Sequence, residues 1–288
     1  MAELPEGFQF SQSSLQDYMD CARRFRLRYL DRLAWPAVAA EPADEYEARA
    51  ADGATFHRLV HQHLVGLSAE RLTELAEQAR ADVGGADAGS LPEWWRNYLE
   101  DGPQELPALR HAEVGLSAPL GGYRLAAQYD LVAVEPGERA VIVDWKTSHR
   151  RTIGTALAAR LQTRVYRYLL VRAGVALSGG RPIRPEQVEM VYWFANFPDE
   201  PERLRYDAAL FQADEVLFDH LIAAIQREDA DGFPLTDDVR QCEFCTYRSL
   251  CNRGAQAGDV NTVDDIELLS ETASLATFDF EQVAEVEF

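Results

Sequence analysis

Two short apolar runs dominate the hydrophobic pattern, residues 123–134 and 140–147, with Glu135, Pro136, Gly137 and Glu138 between them. Apolar runs of this length joined by a Pro-Gly turn predict an antiparallel hairpin. Successive side chains on a strand alternate between faces, so Asp144 and Lys146 leave the second strand on one face and Trp145 on the other. A turn centred near Pro136-Gly137 brings Asp130 within about one residue of the position opposite Asp144, where two carboxylates can share a cation.

Helical periodicity surrounds the hairpin. After the cap cluster Ser11-Gln12-Ser13-Ser14, the residues Leu15, Tyr18, Ala22, Phe25 and Tyr29 recur at helical spacing and predict a helix carrying Cys21. A Pro- and Ala-rich connection through Trp35-Pro36 and Glu41-Pro42 leads to a second predicted helix over 43–67, with His57, His61 and His63. His57 and His61 share a face at a spacing that can chelate a metal, but the Glu that follows the first His in zinc proteases is missing. An amphipathic helix is expected over 69–83, and Trp94, Trp95 and Tyr98 mark an aromatic helix that reads as packing. Further along, a strand is expected over 112–116, a helix over 155–173, a strand over 188–194 and a helix over 214–227. On the 155–173 helix Gln162 and Tyr166 lie one turn apart on one face.

Composition sharpens the reading of the hairpin. Of the 28 basic residues 27 are arginine, and Lys146 is the only lysine. An ammonium is a compact point charge whose pKa moves on burial, whereas guanidinium is a planar fork that stays charged, so the single exception marks a place where arginine will not serve. An exposed Asp144/Lys146 pair on an edge strand is the simpler reading of such a spacing. The apolar Val141-Ile142-Val143 run and the uniqueness of the lysine argue against it.

Net charge then excludes several classes. A formal charge of -20 is unsuited to non-specific coating of nucleic acid or anionic membrane, although a local basic groove remains compatible with it. No apolar run reaches membrane-spanning length and residues 1–6 lack a basic, apolar leader, so a cytoplasmic location is expected. The only lysine follows Trp145 rather than Gly, which excludes a Walker phosphate loop and a nucleotide-driven motor. From Gly254 onward nine acidic residues meet no Lys or Arg, which separates a body, residues 1–254, from an acidic tail, residues 255–288. The tail's interspersed Ile266, Leu268, Phe278, Phe280 and Phe288 suit a docking peptide and a solubilising tail alike.

Cys242, Cys245 and Cys251 form C-x2-C-x5-C, and Cys21 is the only other cysteine. In a cytoplasmic chain four cysteines point to metal or cluster ligation rather than disulfides, and here they would clip the first helix to the last segment. Zinc is the generic reading, and the one-plus-three spacing suits a cubane iron-sulfur cluster equally well.

Taken together, Gly53-x3-His57, Asp130, Asp144-Trp145-Lys146-Thr147, Gln162-x3-Tyr166 and the four cysteines resemble the PD-(D/E)XK nuclease superfamily. Within it they are similar to the RecB-like branch, which includes the nuclease domain of the AddB subunit and the CRISPR-associated adaptation nucleases. The resemblance spans about residues 11–253 and includes the opening helix, Ser13 to Phe25. It implies an α/β, restriction-endonuclease-like core, a central mixed sheet flanked by helices, with a [4Fe-4S] cluster on Cys21, Cys242, Cys245 and Cys251 joining the N- and C-terminal parts. It also implies Mg2+ or Mn2+ on His57, Asp130, Asp144 and the main-chain carbonyl of Trp145, with Lys146 acting on the attacking water. Gln162 and Tyr166 would support the substrate phosphate. Two departures stand out: Gln128 replaces the Gly usual two residues before the first aspartate, and the second carboxylate is Asp144 rather than Glu.

Oxygen ligands with one imidazole suit a hard divalent ion, which acidifies a bound water and offsets charge on a pentavalent phosphorane. Metal-dependent hydrolysis of DNA phosphodiesters is therefore expected, and the resemblance further implies exonucleolytic action on single strands or DNA ends, in repair, recombination or defence, beside a helicase or another complex partner. Arg150, Arg151, Arg160, Arg164 and Arg167 are candidates for a strand-guiding groove. Two other classes compete: a catalytically silent DNA-end or partner-binding scaffold, and a cluster-bearing redox sensor.

Overall fold

A mixed six-stranded sheet lies between two layers of helices. The computed structural model describes residues 4–34, 43–83, 91–228 and 232–254. The acidic tail expected over 255–288, the Trp35–Pro42 connection and the 84–90 loop lie outside the described residues. No described helix is long and apolar enough to cross a membrane.

The chain opens with β1 (Gln9–Phe10), α1 (Gln12–Asp20), α2 (Ala22–Phe25) and a π-helical turn (Arg26–Leu30). Then come α3 (Ala43–Leu64), α4 (Ala69–Val83), α5 (Leu91–Asp101) and the strands β2 (Leu109–Leu120), β3 (Tyr123–Glu135) and β4 (Arg139–Lys146). The second half supplies α6 (Gly154–Ala159), α7 (Leu161–Ala173), β5 (Val188–Phe194), β6 (Phe197–Arg205) and α8 (Ala208–Arg227).

β3 and β4 form the predicted hairpin, paired from Leu131/Val143 to Glu135/Arg139 around Gly137, whose φ of 90° suits glycine at a tight turn. β4 is interior, parallel to β5 on its other side, so the edge-strand reading of Asp144 and Lys146 fails. The alternation expected along β4 holds. Ala140 and Ile142 pack on one face with Phe10 of β1 and with Leu15, Val165, Leu169 and Phe218 from the α1, α7 and α8 layer. Val141, Val143 and Trp145 pack on the other with Phe56, Trp94 and Trp95 from the α3 and α5 layer. Each fully buried Val, Leu, Ile or Phe among them contributes about 1.5–3 kcal/mol.

Three predicted helices have different limits. The first breaks at Cys21, which is extended (φ -162°, ψ 105°), so the cysteine sits between α1 and α2 rather than on a helix. The 155–173 helix breaks at Arg160 (φ -63°, ψ 140°) into α6 and α7. The Thr163 hydroxyl bridges that break, donating to the Leu157 carbonyl at 2.6 Å. The last helix begins at Ala208, because the Asp207 side chain caps it by accepting from the Leu210 N–H at 2.8 Å, which leaves Asp214 buried inside. β6 contains Pro198 and Pro201 among acidic residues, a composition that reads as loop but is tolerated on an edge strand.

β3 organises the site. β2 pairs with it along Tyr123–Val134 and fills one edge. The other edge is shared: β1 pairs in parallel at Arg124 and Leu125, and β4 pairs antiparallel from Leu131 onward. Residues 126–130 of that edge have no strand partner among the described residues.

Candidate active site

The gap opens where two strands distort together. Leu125, Ala127 and Tyr129 face the α7 layer, and so do Val132 and Val134, while Leu131 faces the α3 layer. The alternation of β3 therefore slips by one at Asp130. Opposite, Ala112 pairs with Leu131 and Val114 with Tyr129, but Glu113 is left out of the ladder with φ 50°, a left-handed conformation unusual for a residue with a side chain. A paired distortion of this kind re-aims side chains.

Asp130 lies in line with Asp144 in the extended register, but the ladder stops one pair earlier. Its carboxylate instead turns onto β4, Oδ2 accepting from the Trp145 N–H at 2.9 Å and Oδ1 lying 3.4 Å from His57 Nδ1 on α3. A residue's N–H and C=O leave a strand on the same side, so the Trp145 carbonyl faces this edge as well. On the α7 face, Lys146 Nζ lies 3.0 Å from Asp144 Oδ2, and Gln162 Nε2 donates to Asp144 Oδ1 at 3.0 Å. Asp144 and Lys146 are 3% and 1% exposed, which makes the pair costly unless it is fully engaged. The ammonium also stands over the Tyr192 ring, 5.9 Å from its centre.

Gln162 and Tyr166 meet as their spacing predicts, at 3.4 Å from Nε2 to the hydroxyl oxygen, and both are buried. Tyr166 is further fixed by Tyr129, whose hydroxyl donates to its carbonyl at 2.8 Å while the ring centres stand 4.7 Å apart. Gln162 thus acts directly on Asp144, and Tyr166 acts on Gln162. His63 takes another place, its Nδ1 3.0 Å from the Tyr98 hydroxyl, among aromatic rings.

Sequence reasoning passed over Glu113. Burial, then the charge of Asp130, push its carboxyl pKa up, against a hydrogen bond from Gln128 and the nearby His57 and His61. Gln128 Nε2 donates to Glu113 Oε2 at 2.7 Å, so the residue standing where the family has Gly engages this extra carboxylate. The available signal was positional, a lone acid in the strand that pairs with the first aspartate.

The expected basic groove is corrected. Arg167 is buried, its guanidinium on the carbonyls of Thr163 and Arg205 and over the Tyr206 ring. Arg164 is paired with the buried Asp214, and Arg151 with Glu200 and Glu202. These three arginines are consumed by packing, because each faces a carboxylate or carbonyl that the linear sequence places far away. Arg160 reaches the Thr152 hydroxyl at 3.2 Å, and Arg150 lies exposed on the loop after β4.

The four cysteines come together. Cys21, Cys242, Cys245 and Cys251 line one small cavity with Arg24, Leu27 and Tyr247. Burial raises the thiol pKa of Cys245 and Cys251, and ionised Cys21 and Cys242 raise both further, which places all four within electrostatic reach. Around them Arg24 is held by Asp17 at 2.7 Å and Asp20 at 2.5 Å. Direct bonds already join the two ends of the chain: Arg23 N to the Pro234 carbonyl at 3.0 Å, Arg23 Nε to the Phe233 carbonyl at 2.8 Å and the Tyr247 hydroxyl to the Leu33 carbonyl at 3.1 Å. Among the described residues no three His, Cys, Asp or Glu side chains are gathered closely enough to hold a metal ion.

A mixed sheet between helical layers, with Asp130 and an Asp144-x-Lys146 strand at its opening, defines a nuclease-type α/β core. Residues 9–252 match the PD-(D/E)XK nuclease superfamily, and the chain belongs to that superfamily. No curated protein matches it. Among solved structures, the protein crystallised as SSO0001 is 14% identical with a TM-score of 0.37, over 87% of this chain and 88% of its own. A protein from Eubacterium rectale, titled "Putative exonuclease", is 10% identical with a TM-score of 0.45, over 79% of this chain and 86% of its own.

Proposed function

We propose that the protein is a metal-dependent deoxyribonuclease of the RecB-like branch that trims single-stranded DNA or DNA ends. The carrying observation is the sole lysine, buried and 3.0 Å from Asp144, one residue from the amide that Asp130 accepts. In donor type the set suits a hard divalent ion: two carboxylates, an imidazole already 3.4 Å from one of them, and a carbonyl on the same strand edge, which a bound ion would have to draw together. His57, Asp130, Asp144 and the Trp145 carbonyl would hold Mg2+ or Mn2+, which when bound supplies Lewis-acid activation of a phosphoryl oxygen and of water.

The rest falls to the chain. Gln162 keeps one oxygen of Asp144 oriented, and Tyr166 keeps Gln162 in place. Lys146 directs its ammonium to the attacking water and to charge that develops on the phosphate, at a point from which solvent is nearly excluded. The convergence of Cys21 with Cys242, Cys245 and Cys251 on one cavity supports a [4Fe-4S] cluster there, joining both ends of a nuclease domain over 1–254, with 255–288 as an acidic tail for a helicase or other repair or defence partner. One observation favours a silent scaffold as the second reading: Lys146 is only 1% exposed and is closed onto Asp144.

The test is cleavage of end-labelled single- and double-stranded DNA by anaerobically purified protein with Mn2+, Mg2+ or EDTA, beside Lys146→Ala. Metal-dependent cutting lost in the variant is expected. DNA binding without cutting by the cluster-loaded protein would overturn the enzyme reading in favour of the scaffold.

A further inference from the structure

We propose that the N-terminus of α1 is a second phosphate subsite in the gap of β3, holding a phosphodiester a few nucleotides from the scissile one on the same strand; this rests on the nuclease reading. β1 and β4 run toward each other along one edge of β3 and leave residues 126–130 without a strand partner among the described residues, roughly 16 Å of strand at about 3.3 Å per residue. One end of that gap holds Asp130, Asp144 and Lys146. At the other end β1 stops at Phe10 and α1 begins.

The first turn of α1 is built without charge. Ser11 and Ser14 satisfy one another: Ser14 N–H donates to Ser11 Oγ at 3.2 Å, Ser11 N–H to Ser14 Oγ at 2.9 Å, and the Ser14 hydroxyl to the Ser11 carbonyl at 3.1 Å. This cap leaves the backbone N–H groups of Gln12 and Ser13, which the helix cannot pair internally. No acidic residue occupies the turn, so its positive end is not neutralised. Asp17, one turn on, is committed to Arg24 and Arg28.

A separate observation points to a ligand. Gln12 is only 6% exposed, yet its Oε1 has no hydrogen-bond partner among the described residues. A buried carboxamide normally finds partners. Turning about its last torsion it presents either oxygen or NH2, and the NH2 group together with two backbone N–H groups forms a donor cradle for phosphate. Such a cradle also suits the charge pattern. In a chain of net charge -20 whose Arg151, Arg164 and Arg167 are spent on internal partners, a helix terminus supplies local attraction.

Two variants test it. Gln12→Glu puts a carboxylate where the helix dipole offsets part of its burial cost, and it repels phosphate. Gln12→Pro removes both the N–H and the carboxamide at the helix position proline prefers, and Ser11 (φ -132°, ψ 169°) already has the extended backbone that must precede proline. Binding to a short single-stranded oligonucleotide is measured by fluorescence anisotropy in EDTA across a salt series, with thermal melting as the fold check. Both variants should bind more weakly, Gln12→Glu about tenfold at low salt, with the salt slope reduced by about 0.7, one phosphate's worth. Unchanged affinity and slope in both would overturn the subsite, and so would weakening by Gln12→Glu alone, which shows only long-range repulsion. Cleavage by the parent chain with Mn2+ is scored separately: its absence defeats the nuclease reading and leaves the binding comparison intact.

Discussion

On the proposed mechanism, Lys146 ties chemistry to stability in one side chain. Its ammonium offsets Asp144 in a nearly closed site, and removing one partner of a buried pair typically costs about 3–5 kcal/mol because the remaining charge is left uncompensated. Lys146→Met should therefore abolish cleavage and lower the melting temperature in EDTA, and Mn2+ should restore part of that loss by replacing the missing positive charge. Equal destabilisation with and without Mn2+ would show that no cation reaches Asp144. Lys146→Arg keeps the charge, but its larger planar head must fit beside Tyr192; cleavage should fall at least about 100-fold, with overpacking costing about 1–3 kcal/mol. Glu113 has the opposite sign. Burial and Asp130 raise its folded pKa, so its ionised form weakens the metal-free fold above that pKa, and the penalty vanishes as pH falls through it toward the ordinary carboxylate range of about 4.3. Metal-free Glu113→Gln should melt above the parent at pH 7, the difference narrowing on acidification; a difference independent of pH would mean the carboxylate's charge is not what weakens the fold.

Elements were legible where their pattern was local and obscure where a distant partner set them. The β3–β4 hairpin, β5 and α4 follow from runs and periods that the chain carries in themselves. The slip at Asp130 does not, because it arises jointly with Glu113 on a strand that pairs from the other side. The same holds for the candidate site: Asp130, Asp144, Lys146 and Gln162 could be picked out by type and spacing, whereas the contact of Asp130 with the Trp145 amide requires β3 and β4 to part. Arg164 and Arg167 were misread because Asp214 and Tyr206 come from later elements. The break before α7 is likewise tertiary. Thr163, fully buried, joins the Leu157 carbonyl and the Tyr192 hydroxyl, each at 2.6 Å, and so fixes the helix turn that presents Gln162 to Asp144. Thr163→Val conserves volume but strands both partners, at about 1–3 kcal/mol each. Its urea midpoint should drop and cleavage should fall with it, through a lower kcat rather than a higher KM. A changed KM alone would mean that the turn shapes the binding surface instead.

Across the molecule, the N-terminal helices and the segment from 233 to 251 are joined twice. One joint is polar, through Arg23, Arg24 and Tyr247, and the other is the cavity shared by the four cysteines. A cross-link between Cys21 and Cys242 closes a loop of roughly 220 residues, for which chain entropy alone gives about 5 kcal/mol, or about 10–20 °C in melting temperature for a chain of this size. The polar joint makes the full loss unnecessary, since the ends stay docked when the thiols are empty. On the proposed cluster, removing iron or replacing any one of the four cysteines by Ser should then lower the melting temperature by less than that figure and leave a folded protein that still binds DNA. Iron and sulfide content should fall together in all four variants, because each thiol lines the same cavity. If the cluster is a staple, cleavage follows the folded fraction and is equal for its oxidised and reduced forms. If it is a sensor, cleavage changes with redox state at constant melting temperature, and the polar joint, which carries no redox group, could not account for that change.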